Sequence, residues 1–340
     1  MRRIDLAGTN IDTTIIGLGC AGLFHLPRKE ERRAAIEAAF DAGIRHFDVA
    51  PMYGLSLAET ELAPLLKRHR NEITVTTKFG IDVTVAGRTI GRMQGPVRRL
   101  LARTPKIRGE LKTAGSGPKA GMMGRILYAP TGYSVQAATS SLYRSLRALG
   151  TDYVDVFALH DPPDDLGVDI RELIAYLDHQ CDIGRIRCWG IAGDAHNFRG
   201  AALELANQAP LVQLRDNAFD PCLAEDQHPT KARITYGILV GALPAIERYF
   251  DEFPDQCGPW SDRFEMDVRA EACIPTLLLR EALRRNAAGP VLMSSTKVGR
   301  IRDAARVATE SGNLSIEREA AALHGLVATV RSIYPELRRS

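Results

Sequence analysis

Short aliphatic runs of strand length recur along this chain, and longer stretches with helical spacing separate several of them. Thr13–Leu18, Ile44–Val49, Ile73–Thr77, Val154–Leu159, Ile186–Ile191, Leu211–Leu214, Ile234–Tyr236 and Val291–Met293 read as strands. Arg28–Ala42 carries Ile36, Ala39 and Phe40 at helical spacing; Pro27 suits its start and Gly43 its end. Ser134 predicts an N-cap for a helix whose stripe of Val135, Ala138, Leu142, Leu146 and Leu149 runs down to Gly150. Asp169 and Glu172 have capping-box spacing ahead of Leu173 and Leu177, and Gly184 closes that helix. Val154–Leu159 is apolar almost throughout, as a strand covered on both faces of a parallel sheet must be. Repeated strand–helix units predict an α/β fold, either a closed (β/α)₈ barrel or an open doubly wound sheet.

The chain has 340 residues, a length that a barrel reaches as one domain, and neither an internal repeat nor a linker divides it. We therefore expect residues 1–340 to form a single domain. Three segments break the rhythm. Residues 80–132 form a long, glycine-rich, basic insertion after the third strand. Residues 215–232 and 250–268 read as irregular, with Pro221, Pro229, Pro254 and Pro259. The insertion carries Arg98, Arg99, Arg103, Lys106 and Arg108 with few acids, and reads as a solvated loop, a lid or a subunit contact. No aromatic residues interleave its charges before Tyr128, so a nucleic-acid partner is not expected. The net charge of +3 adds no argument for one. No apolar run approaches the roughly 18 residues of a membrane-spanning helix, and no apolar signal core follows the basic N-terminus. The six cysteines lack C-x-x-C spacing and read as reduced core thiols, which excludes a disulfide frame and a zinc site and makes the cytoplasm the expected location.

Gly17-Leu18-Gly19-Cys20-Ala21-Gly22 spells G-x-G-x-x-G after a strand. In a dinucleotide-binding βαβ unit the helix begins within that motif. Here Phe24-His25-Leu26-Pro27 intervenes, and proline cannot occupy a helix interior. The glycines read instead as a tight turn at the mouth of a barrel.

Asp48, Lys78 and His160 each stand at the C-terminal end of a predicted strand, and Tyr53 follows Asp48 in the same loop. That rim is where barrels gather their chemistry. A buried aspartate and lysine must pair. A tyrosine beside the pair gains a cationic neighbour, which predicts a lowered pKa and a usable proton donor or acceptor. His160 can donate a hydrogen bond to a substrate oxygen. Such a set suits a carbonyl whose oxygen gains a proton while its carbon gains hydride.

Gly43-Ile-Arg-His-Phe-Asp48-Val-Ala-Pro-Met-Tyr53-Gly54, Thr77-Lys78-Phe79-Gly80 and Leu149-Gly-Thr-Asp-Tyr-Val-Asp-Val-Phe-Ala-Leu-His160-Asp161 together resemble the aldo-keto reductase family. Tyr133-Ser134 leading into Ser141–Gly150 resembles its bacterial L-galactose dehydrogenase-like branch. The resemblance selects the (β/α)₈ TIM barrel. It implies Tyr53 as proton donor, Lys78 lowering its pKa, Asp48 holding Lys78, and His160 orienting the carbonyl. It further implies a nicotinamide dinucleotide across the barrel mouth, NADP(H) with NAD(H) possible. Gly19 would border it, and Gln213 would bind the carboxamide. Tyr236, Gly237 and Leu239 would embrace the pyrophosphate, and Ser294, Ser295, Lys297 and Arg300 would surround the 2′-phosphate. Gly193-Asp194 stands where the family often has Ser-Asn, Asp216 where an aromatic residue commonly stacks on the ring, and Ala304 where an Asn usually meets adenine. The expected function is an oxidoreductase acting on an aldehyde, ketone or sugar-like alcohol. The alternative is a non-catalytic nicotinamide-binding regulatory protein on the same barrel. Substrate, direction and oligomeric state are open at this level, because the loops that set them are the divergent ones.

Overall fold

The computed structural model describes residues 1–26, 28–92, 126–223, 231–310 and 316–336. A hairpin comes first, β1 (Arg3–Leu6) against β2 (Ile11–Thr14). Strands and helices then alternate: β3 (Ile16–Gly19), α1 (Lys29–Asp41), β4 (His46–Asp48), α2 (Ala58–His69) and β5 (Thr74–Phe79). The insertion contributes β6 (Ile81–Val83), α3 (Val85–Arg92) and β7 (Tyr128–Pro130). Alternation resumes with α4 (Val135–Leu149), β8 (Val154–His160), α5 (Ile170–Asp182), β9 (Ile186–Gly193), α6 (Gly200–Gln208), β10 (Leu211–Arg215) and β11 (Ala232–Tyr236). Helices α7 (Ala242–Glu252), α8 (Cys257–Phe264) and α9 (Cys273–Arg285) precede β12 (Val291–Met293), and α10 (Val298–Glu310) and α11 (Ile316–Ile333) end the chain.

Strands β3, β4, β5, β8, β9, β10, β11 and β12 pair in parallel in that order, and β12 returns to β3 to close the barrel. The closed form of the two expected α/β solutions is the observed one. Local signals place the helices where expected. Ser134 Oγ accepts from the Ala137 N–H, and Gly150 at φ +66° ends α4 in the left-handed conformation that costs glycine least. The expected strand Thr13–Leu18 divides: Thr13 and Thr14 belong to the hairpin, and the barrel strand starts at Ile16. The hairpin plugs the N-terminal end, where Leu6 and Ile11 pack on Val156, Leu211, Ile234 and Leu292. Residues 250–268, expected to be irregular, are largely helical. Pro254 opens a 3-10 turn and Pro259 lies in the first turn of α8, positions that need no backbone donor. Trp260 and Phe264 of α8 are buried with Tyr249 and Leu323 in a second core outside the barrel.

The base of the insertion is an antiparallel pair of β6 and β7. Its Val83, Leu127 and Tyr128 pack on Met52 and Leu55, one residue before and two after Tyr53. Arg88 and Arg144 hold the buried Asp82 carboxylate at 2.9 and 2.8 Å. The basic run from Arg98 to Lys119 lies outside the described residues. Three acidic residues between 251 and 267 are engaged within the described part of the chain. Asp251 meets Arg269, Glu252 meets Arg248 and Tyr334, and Glu265 meets Arg318.

Candidate active site

Asp48 ends β4 and Lys78 lies on the adjacent β5, both pointing into the C-terminal mouth of the barrel. Lys78 Nζ donates to Asp48 Oδ2 at 2.6 Å and to the Val49 carbonyl at 3.2 Å. Gln213 on β10 donates to the same Asp48 oxygen at 3.0 Å. Asp48 is 2% and Lys78 1% exposed, so the two charges are drawn out of water together, which only mutual pairing makes tolerable. Burial raises the Asp48 pKa, and Lys78 and Gln213 oppose that rise.

Tyr53 follows in the loop after β4. Gly54, Leu55 and Ser56 all adopt left-handed backbone, at φ +66°, +55° and +71°. Two of them carry side chains, so the turn holds strain, and the buried Leu55 anchors it. The turn presents the Tyr53 ring 4.9 Å from Lys78 Nζ and edge-on to the His160 imidazole, with centroids 5.8 Å apart at 86°. His160 ends β8. Burial, and secondarily Lys78, depresses its pKa to about 3, so the imidazole is neutral. The expected lowering of the Tyr53 pKa is corrected. Burial, followed by the negative charge of Asp48, holds the phenol well above its ordinary value, so Tyr53 stays protonated at neutral pH.

The other expected residues ring the same mouth. The buried Gln213 spends its amide nitrogen on Asp48 and leaves Oε1 without a hydrogen-bond partner. Gly19 ends β3, and its carbonyl accepts from Ser294 Oγ at 3.0 Å. Tyr236 ends β11 with its carbonyl on the Asp216 N–H at 2.9 Å, and Gly237, at φ +83°, turns the chain through Leu239 toward α7. Ser295 Oγ accepts from the Lys297 N–H at 3.1 Å just before α10. Lys297 and Arg300 are exposed and share one carboxylate, Glu271, at 3.9 and 2.6 Å. Glu271 carries no sequence signal of that role, since it lies between short polar segments before α9. Asp216 does not face the mouth. It is buried against Arg285 and accepts from the Cys222 N–H at 2.9 Å. Asp194 lies 3.7 Å from Arg215. Two further groups escaped the sequence reading. His46 sits inside the barrel, its nitrogens 3.1 and 3.3 Å from the Thr74 and Thr76 hydroxyls. Tyr133 donates to the His160 carbonyl at 2.6 Å. Among the described residues no cluster of His, Cys, Asp and Glu could hold a metal ion, and no helix is long and apolar enough to cross a membrane.

A closed parallel barrel that buries a lysine–carboxylate pair beside a partly buried tyrosine and a neutral histidine at its C-terminal mouth is an enzyme scaffold with its polar groups where barrels do chemistry. The family to which it belongs follows from comparison. The profile of the aldo/keto reductase family matches residues 15–219. The chain belongs to the aldo/keto reductase family and is an oxidoreductase of the carbonyl–alcohol couple. It is 30% identical over 249 residues to a D-threo-aldose 1-dehydrogenase from a Pseudomonas species, a match that covers 70% of this chain and 68% of that protein. Its fold is similar to the glycerol dehydrogenase of Gluconobacter oxydans (TM-score 0.66, 17% identity, 98% and 95% of the chains covered). It is also similar to an aldo-keto reductase from Bacillus halodurans solved in its holo form (TM-score 0.64, 16% identity, 96% of each chain).

Proposed function

We propose that this enzyme uses NADP(H) to interconvert an aldehyde or ketone and the matching alcohol, with a sugar-like molecule as the substrate class. The observation that carries the reading is Tyr53 set between the Lys78–Asp48 pair and the neutral His160 at one barrel mouth. The residues at that mouth suit a nicotinamide dinucleotide. The buried, unpartnered Gln213 Oε1 is an acceptor in want of an N–H donor, which a carboxamide supplies. Lys297 and Arg300 offer the cations that a 2′-phosphate needs, though Glu271 competes for them, so NAD(H) is accepted as well. When bound, the nicotinamide supplies or accepts hydride.

The chain's own groups handle the oxygen. A neutral His160 N–H donates to the carbonyl and orients it. As that oxygen gains charge, Tyr53 gives it the phenolic proton, and the Lys78 cation stabilises the phenolate left behind. A phenol with a raised pKa is in the protonated form that reduction requires. Asp48 keeps Lys78 in place through the 2.6 Å contact. A sugar-like substrate is supported by the aldose dehydrogenase relative, whose match spans most of this chain. The same reading makes the whole chain one catalytic unit. It also places the enzyme in the cytoplasm, in keeping with six free cysteines, four of them buried.

Tyr53→Phe keeps the ring and removes the proton. Assayed on a panel of aldehydes and sugars with NADPH and with NADP+, it should lose about 10²-fold or more in turnover. NADPH binding, followed by fluorescence, should stay within about twofold, since the ring is retained. Near-normal turnover would end the proposal.

A further inference from the structure

We propose that Tyr133 is a positioning residue for His160, acting on the imidazole through the backbone; this rests on the reading of His160 given above. The pairing of β5 with β8 ends at Phe79 opposite Leu159, one residue before His160. On that side the β5 chain leaves the sheet at Gly80, at φ +107°. On the other side the sheet carries on, with His160 opposite Ala192 and the Asp161 N–H on the Ala192 carbonyl at 2.8 Å. The phenol of Tyr133 takes the place of the missing strand and donates to the His160 carbonyl at 2.6 Å.

The contact is built from three directions. Tyr133 is 5% exposed, and its ring packs on Phe79 at 5.9 Å. The Thr131 N–H, two residues before it, donates to the Gly80 carbonyl at 2.9 Å. A Cβ at Gly80 would overlap the Tyr133 ring, so glycine there leaves room for the phenol. Beyond His160 the backbone turns sharply, with Asp161 at φ +48°. The imidazole itself has little to fix it: Nδ1 is buried and makes no hydrogen bond. Its direction is therefore set by the backbone that carries it and by the edge of Tyr53. Without the phenol, the partly buried His160 carbonyl loses this donor, and the peptide next to the imidazole is free to shift. A misplacement of a fraction of an ångström at such a group is enough to slow a reaction.

The test is Tyr133→Phe in the full-length enzyme, alone and combined with His160→Ala. We expect kcat/KM for the carbonyl substrate to fall about tenfold, the size of one lost hydrogen bond. Dinucleotide affinity should be unchanged. In the His160→Ala background the same substitution should cost less than about twofold, because a residue acting through His160 has nothing left to position. In enzyme labelled with 15N-histidine, the His160 ring signals should shift or broaden while those of His46 hold. The inference alone fails if Tyr133→Phe keeps wild-type kcat/KM while His160→Ala is crippled, or if its full loss persists in the His160→Ala background. A His160→Ala enzyme with wild-type kcat/KM removes the reading of His160 and this inference with it.

Discussion

Lys78 and Asp48 meet at 2.6 Å from adjacent strands, and a third side chain, Gln213, reaches across the barrel to the same carboxylate oxygen. Each charge is tolerable only because of the other. Removing one partner of such a pair typically costs about 3–5 kcal/mol, whereas replacing both by uncharged groups of similar shape costs far less. Asp48→Asn and Lys78→Met should each lower the urea midpoint sharply, and the double variant should recover much of the loss. Additive losses in the double variant would show that the two charges are solvated independently.

The two histidines inside and at the mouth of the barrel should make the fold acid-sensitive. His46 and His160 are both pushed from 6.5 to about 3 by burial, with Lys78 adding to the effect. Between those values the unfolded chain binds protons that the folded chain does not, so stability rises with pH across that window and is lost as pH falls below about 6.5. The slope is about 1.4 kcal/mol per pH unit for each histidine at full effect. His46→Gln should flatten the curve of unfolding free energy between pH 7 and pH 5 relative to the wild type. An unchanged slope would mean that His46 takes up its proton equally in the folded and the unfolded chain.

Glu271 should tune cofactor choice. Its carboxylate lies between Lys297 and Arg300, where it competes with any phosphate for the same cations. All three side chains are well exposed, so the effect will be modest and sensitive to salt. Glu271→Gln should tighten NADPH binding severalfold at low ionic strength and leave NADH nearly unchanged. Arg300→Ala should weaken NADPH binding and spare NADH. Fluorescence titration measures both, and equal changes for the two dinucleotides would exclude a 2′-phosphate role.

The stem of the insertion should matter to the site through packing. Leu127 is buried against Met52 and Leu55, which flank Tyr53. Leu127→Ala leaves a cavity there and should destabilise the enzyme by about 2–4 kcal/mol. The loss should also appear as a raised KM for the carbonyl substrate with dinucleotide affinity retained. A stability loss with unchanged KM would show that the loop carrying Tyr53 holds its shape without that support.

How far the molecule can be read from its sequence varies by element. Asp48, Lys78 and His160 were legible because each stands at the end of a predicted strand, and in a parallel barrel the C-terminal strand ends converge at one mouth. Ser134 and Gly150 were legible because capping is a local transaction between neighbouring residues. Thr13–Leu18 misled because two consecutive strands, one in the hairpin and one in the barrel, carry continuous strand-forming sequence with no turn signal between them. Residues 250–268 misled because Pro254 and Pro259 fall in first turns, where proline starts a helix as readily as it breaks one. Asp216 looked like a residue of the mouth until Arg285, from a distant helix, claimed it.

Periodicity and composition, which act over a few residues, determined the alternation of strand and helix and the order of Asp48, Tyr53, Lys78 and His160 along it. Closure of the sheet decided the rest. It brought Gln213 to Asp48, Tyr133 to the His160 carbonyl and Glu271 to Arg300. It also reversed the expected direction of the Tyr53 pKa. A cationic neighbour can be inferred from sequence. The desolvation that outweighs it depends on every element packed around the ring, and that is a property of the assembled barrel.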